Sequence, residues 1–174
     1  AVGLLDNPAK QRQEPWVLDL GRAGGHAAVI GAPGTGRTGF LRTVAASLAL
    51  SRTPRQASVY GMDLTGGGLR RIEGFPHVGG VATRANRDQL VRLLEELRAM
   101  LALREAAFRD HGIESLAMLR AEHAAGRLPE LLSAEVVLLV DGVHQLRSDF
   151  EELEEPLVEL LQRGGSFGIH LVLA

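Results

Sequence analysis

Gly31-Ala-Pro-Gly-Thr-Gly-Arg-Thr38 decides the reading of this chain. It follows a short apolar run, His26-Ala-Ala-Val-Ile30, which suits a buried parallel strand. It precedes Phe40, Leu41, Val44 and Leu48, whose spacing predicts a helix over 40–50. The octet fits G-x-x-x-x-G-K-[ST] at every fixed position except the lysine, which is Arg37. Glycines let successive backbone N–H groups curl around phosphate oxygens without Cβ clashes. The helix that follows aims its N-terminal partial positive charge at the same anion. Thr38 would place its hydroxyl on a Mg²⁺ ion that bridges phosphates. Gly31, Ala32, Pro33, Gly34, Thr35, Gly36, Arg37 and Thr38 are therefore the candidate nucleotide-binding residues. An ordinary glycine-rich strand-to-helix turn is the competing reading. Arginine at 37 keeps the charge of lysine on a longer, planar and directional group. Binding should survive that exchange better than transition-state geometry does.

Outward from the loop, strands alternate with helices. Ala57–Leu64 reads as a strand, with Gly66-Gly-Gly68 as its loop, and Val78–Ala82 as a further short strand. Asn86 and Gln89 form a capping-box pattern at the head of a long helix. Its stripe runs through Leu90, Leu94, Leu97, Leu101 and Phe108, and Gly112 ends it. A second helix is predicted over Ser115–Ala125, stopped by Gly126. Val136-Val-Leu-Leu-Val140, ending on Asp141, is the most continuous apolar run and predicts a buried strand. Ser148–Arg163 should be helical, with Pro156 kinking it or opening its second part. Gly168–Ala174 is a last strand. Before the loop, residues 1–25 read as an approach segment whose edge strand is Trp16–Leu20, turned by Gly24-Gly25. The alternation implies an α/β fold, a mostly parallel sheet flanked by helices on both faces. Residues 1–174 are expected to be a single domain, and the abrupt ends suggest a piece of a larger protein.

Composition narrows the function. Charged residues are 23% and hydrophobic residues 45%, which suits a globular core and excludes wholesale disorder. The net charge of -2 argues against a basic module that coats nucleic acid. With no cysteine there is neither a disulfide framework nor a thiolate metal site. Lys10 is the only lysine among 19 basic residues, so phosphate chemistry here relies on arginine or on lysine from elsewhere. The histidines show no ligand spacing.

Asp141, at the end of an apolar strand, is the expected partner of the phosphate loop, holding Mg²⁺ from across the sheet. Capping of the strand end is the alternative. The next residue is Gly142, where hydrolysing proteins of this broad class commonly carry an acid that polarises water. Loss of a positioned base costs about 10²–10⁴-fold in rate. His144, with Gln145 beside it, is the one catalytic candidate left; a surface histidine is the alternative. Arg70 and Arg71 read either as a solvated pair or as residues facing a neighbour's phosphates. Glu151-Glu-Leu-Glu-Glu155 reads as a solvated helix face near an N-terminus.

The chain resembles the FtsK/SpoIIIE-type ATPase domains, and among them those of the EccC coupling ATPases of type VII (ESX) secretion. The resemblance rests on Val2-Gly-Leu-Leu-Asp-Asn-Pro-Ala9, the loop with Phe40-Leu-Arg-Thr43, and Met62-Asp-Leu-Thr-Gly-Gly-Gly-Leu69. It continues through Gly74-Phe-Pro-His-Val-Gly-Gly-Val81, Arg109-Asp-His-Gly-Ile113, Val136–Gly142 and Phe150-Glu-Glu-Leu-Glu154. It implies a RecA-like P-loop NTPase fold in which the last strand lies between the phosphate-loop strand and the Asp141 strand. It implies ATP and Mg²⁺ as ligands, with Gly31, Gly34, Gly36, Arg37 and Thr38 on phosphate and Thr38 and Asp141 on Mg²⁺. The implied partners are neighbouring ATPase domains of the same chain, secretion subunits and small helical secreted substrates. The full-length protein is expected to be membrane-anchored and oligomeric, with this domain on the cytoplasmic side and no nucleic-acid partner. Asp141-Gly142 is most similar to the second, middle domain of that family, often degenerate. The expected function is nucleotide binding with weak or no hydrolysis, in a regulatory or structural role. An active DNA-translocating motor and a docking module with a vestigial pocket are the alternatives.

Overall fold

Val136 to Val140 alternate between two hydrophobic cores, and that alternation organises the molecule. In the computed structural model, which describes residues 1–21 and 25–174, these residues lie in a strand spanning Glu135–Asp141. Val136, Leu138 and Val140 face one core with Met62, Leu94, Leu97 and Leu160, while Val137 and Leu139 face the other with Leu41, Val44 and Val59. A strand turns successive side chains to opposite faces, so a run apolar at every position must be covered on both.

The elements in chain order are β1 (Gly3–Asn7), β2 (Arg12–Trp16), β3 (Ala27–Ala28), α1 (Arg37–Ser51), β4 (Ala57–Asp63) and β5 (Val78–Thr83). They continue with α2 (Arg87–Asp110), α3 (Leu116–Ala124), β6 (Glu135–Asp141), α4 (Leu146–Asp149), α5 (Glu154–Arg163) and β7 (Ile169–Leu173). Five strands form one sheet in the order β3-β7-β6-β4-β5, every pair parallel. Helix α1 covers one face, and α2 and α5 cover the other. This is the α/β architecture expected from the sequence, and β7 sits between β3 and β6 as the family resemblance implied.

The long helix starts where its cap was read: the Asn86 Oδ1 accepts the Gln89 amide at 3.1 Å. The Ser115 hydroxyl oxygen likewise accepts the Met118 amide at the head of α3. Arg104, buried on α2, donates to the carbonyls of Ser133, Ala134 and Phe167, tying α2 to the segments that lead into β6 and β7.

Three local readings change. The edge strand placed at Trp16–Leu20 is instead Arg12–Trp16, paired with Gly3–Asn7 in an antiparallel hairpin outside the main sheet. The alternation over 17–20 was real but recorded packing: Leu18 and Leu20 lie against the α1 core, while Val17 is 62% exposed. The run His26–Ile30 is paired only over Ala27–Ala28, and Ile30 is 97% exposed. Strand β3 is at the edge of the sheet with β7 as its single neighbour, so the run is not enclosed on both faces. The helix predicted over Ser148–Arg163 breaks at Phe150, whose φ of -144° is outside the helical range, and Pro156 falls in the first turn of α5. Of the expected Gly24-Gly25 turn, Gly24 lies outside the described residues; Gly25 has a φ of +76°.

Candidate functional site

The loop Gly31–Thr38 joins β3 to α1 at the ends of the strands. Gly34 and Gly36 have φ of +79° and +93°, and a Cβ built at either would meet nothing within 4 Å. These positions need glycine for backbone conformation, and the space beside them is open. Gly31 needs it for room: a Cβ there would come within 2.5 Å of the Thr35 hydroxyl, which donates to the Ala32 carbonyl. Gly36 is the N-cap of α1 and supplies no side-chain acceptor, so the first-turn amides are left to an external anion. Arg37 opens the helix, half-buried, and makes no ion pair among the described residues.

The second half of the site arrives on β6. Asp141 is buried, and the Thr38 hydroxyl donates to its Oδ2 at 2.5 Å. Residues 103 apart in sequence are thus brought to one point. Asp63, at the end of neighbouring β4 and in register with Asp141, is fully buried. It accepts the amides of Thr65 and Gly66 at 3.1 Å and of Leu69 at 2.8 Å. Burial works to raise its carboxyl, but the amide donors outweigh it and hold the group below the usual carboxylate range. The Thr65 hydroxyl stands 3.1 Å from Asp63 Oδ1 and 3.3 Å from Asp141 Oδ2, and so joins the two acids. A Cβ at Gly68 would lie 3.0 Å from the Thr38 methyl, so the triple-glycine loop closes against the phosphate loop. Sequence reasoning missed Asp63 and Thr65 as site residues. The available signal was a strand ending on aspartate before Thr-Gly-Gly-Gly, a pattern in which the carboxylate gathers the amides that follow.

Gly142 is the next position after Asp141, and its φ is +94°. A Cβ there would fall 2.7 Å from the Thr65 methyl and 3.3 Å from Gln145 Oε1. No side chain enters without displacing Thr65. His144 is solvent-exposed, and no described contact joins it to Asp141 or to the loop. Gln145 is the residue beside Gly142; its Oε1 is buried without a hydrogen-bond partner. Arg70 pairs with Glu73 at 3.3 Å and Arg71 is exposed. Glu152 pairs with Arg87, and Glu151 and Glu155 face solvent.

A hydroxyl and a carboxylate that already meet form an all-oxygen donor set, which fits Mg²⁺. Among the described residues no cluster of three His, Asp or Glu side chains could hold a metal alone, so nucleotide oxygens would complete the shell. Thr38 and Asp141 would hold the ion, which when bound neutralises charge on the phosphates.

An edge strand, a glycine loop with open amides, a helix behind it and an acid two strands away define a RecA-like P-loop NTPase domain. The FtsK/SpoIIIE family pattern matches residues 3–174, and the chain belongs to that family. It is 42% identical to the ESX secretion system protein EccC of Thermomonospora curvata, covering 99% of this chain and 13% of that protein. It is 38% identical to the ESX-1 secretion system protein EccCb1 of Mycolicibacterium smegmatis, covering 99% of this chain and 29% of that protein. A solved structure of Thermomonospora curvata EccC, ATPases 2 and 3 in complex with a signal sequence peptide, superposes with a TM-score of 0.92. That match has 42% identity and covers 98% of this chain and 31% of the other. The chain thus spans less than a third of each of these three relatives.

Proposed function

We propose that residues 1–174 form one nucleotide-binding ATPase domain of a type VII secretion motor, which grips Mg-ATP and hydrolyses it weakly or not at all. Its role in the motor is regulatory or structural. The observation that carries this is the contrast at the end of β6. Thr38 and Asp141 converge at 2.5 Å, while the following residue is a left-handed glycine with Thr65 in its side-chain space. The parts that hold phosphate and metal are present, and the place for a water-activating acid is taken. Gly31 to Thr38 bind the phosphates, and Thr38 and Asp141 the ion; neither His144 nor any other side chain among the described residues takes the role of base. By likeness to EccC, the partners are neighbouring ATPase domains, other secretion subunits and small helical substrates. The signal-sequence peptide held by the Thermomonospora curvata protein supports the last of these. The whole protein is then membrane-anchored and oligomeric, and the anchor lies outside this domain. No helix among the described residues is long and apolar enough to cross a membrane.

Thermal melting tests the binding half. Mg-ATP at about 100 times its dissociation constant adds roughly 2.7 kcal/mol to a protein that binds only when folded. For a domain of this size that is roughly 5–10 °C in Tm. Arg37→Ala should lose most of that gain. A flat response up to millimolar Mg-ATP would contradict the proposal and favour the docking module.

A further inference from the structure

Trp16, the only tryptophan in the chain, ends β2 and is 46% exposed. Its hairpin partner in register is Gly3, and a Cβ built there would sit 3.4 Å from the indole Cε3. The absent side chain at Gly3 leaves the indole in ordinary contact range of the partner strand. Its neighbour across the gap is Phe40, with ring centroids 5.6 Å apart and planes tilted by 36°. Phe40 belongs to the first turn of α1, where its amide donates to the carbonyl of Gly36 at 2.8 Å. It is only two residues past Thr38, roughly 3 Å along the helix axis. Its other side packs into the α1 core, so the pair is anchored from within.

A large aromatic left half in water costs apolar exposure, and here its described ring contact is Phe40. Through Phe40 it is tied to the first turn of α1, the helix that the phosphate loop opens. Resting on the nucleotide-binding reading above, we propose that Trp16, braced by Phe40, is the seat on which the base of the bound nucleoside triphosphate stacks. The β1–β2 hairpin then acts as the base-side wall of the nucleotide site. Stacking of a base on an aromatic ring is worth enough to change affinity about 5- to 100-fold.

The test compares Mg-ATP with Mg-tripolyphosphate, which has the phosphates and no base. ATP should quench Trp16 fluorescence on binding, and tripolyphosphate should bind without doing so. Trp16→Ala should weaken ATP binding at least about fivefold and leave tripolyphosphate affinity unchanged. Trp16→Phe, which keeps a π-face, should recover most of the loss. If ATP binds no tighter than tripolyphosphate, or Trp16→Ala binds both as the parent does, the base seat is overturned and the phosphate site stands. If the parent protein binds neither ligand, both readings fall together.

Discussion

Gly142 concentrates the chemistry of this domain in one residue. A left-handed φ of +94° is open to glycine at little cost and to other residues at about 1–2 kcal/mol. Thr65 raises that cost, because its methyl is 2.7 Å from any Cβ at 142 and its hydroxyl is held between Asp63 and Asp141. Gly142→Glu is therefore not a simple restoration of an acid. It should lower the unfolding free energy by about 2 kcal/mol or more in urea titrations, and leave phosphate release no faster than in the parent. A variant as stable as the parent that releases phosphate at ~1 s⁻¹ would show that the acid alone was missing. Arg37 differs in kind. Among the described residues it makes no ion pair, and on the proposed reading it limits geometry rather than attraction.

At the scale of elements, the end of the sheet away from the loop is stitched by Glu135 on β6. Burial works to raise its carboxyl, but hydrogen bonds from His170 on β7 and Arg120 on α3 outweigh it and hold the pKa at about 2. Arg120 reaches it at 2.6 Å and His170 at 3.3 Å. The ordinary value is 4.5, so the folded state binds the proton more weakly than the unfolded state does. The stability this gives is complete above about pH 4.5 and is lost as pH falls toward 2. Glu135→Gln should be less stable than the parent at pH 6, with the gap narrowed at pH 3 and closing only toward pH 2 in paired urea titrations. An equal gap at both pH values would exclude the linkage. The elements legible in the sequence were those whose residues see one environment. Leu90, Leu94 and Leu97 share a stripe that faces one core, and Val136–Val140 is enclosed on both sides. The β1–β2 hairpin was not legible because its strands are almost wholly exposed and carry no alternation. Ile30 misled because an apolar run says nothing of whether a strand is central or at an edge.

Across the whole molecule, the sheet order does the work that sequence distance conceals. Strand β7 separates β3 from β6, and the two half-sites still meet because both follow the C-terminal ends of parallel strands in one sheet. The phosphate loop and Asp141 were legible, since each has a local pattern after a strand. Asp63 and Thr65 were not, since their importance comes from register with β6, a non-local pairing. The closing of the triple-glycine loop on Thr38 is likewise a tertiary fact. The function proposed above makes this site a binding device first. Its most direct test is to saturate the protein with Mg-ATP, remove free nucleotide, and identify what stays bound over an hour. The account predicts one equivalent of intact ATP, with phosphate appearing far more slowly than ~1 s⁻¹. Bound ADP with rapid phosphate release, or protein that retains no nucleotide, would contradict it.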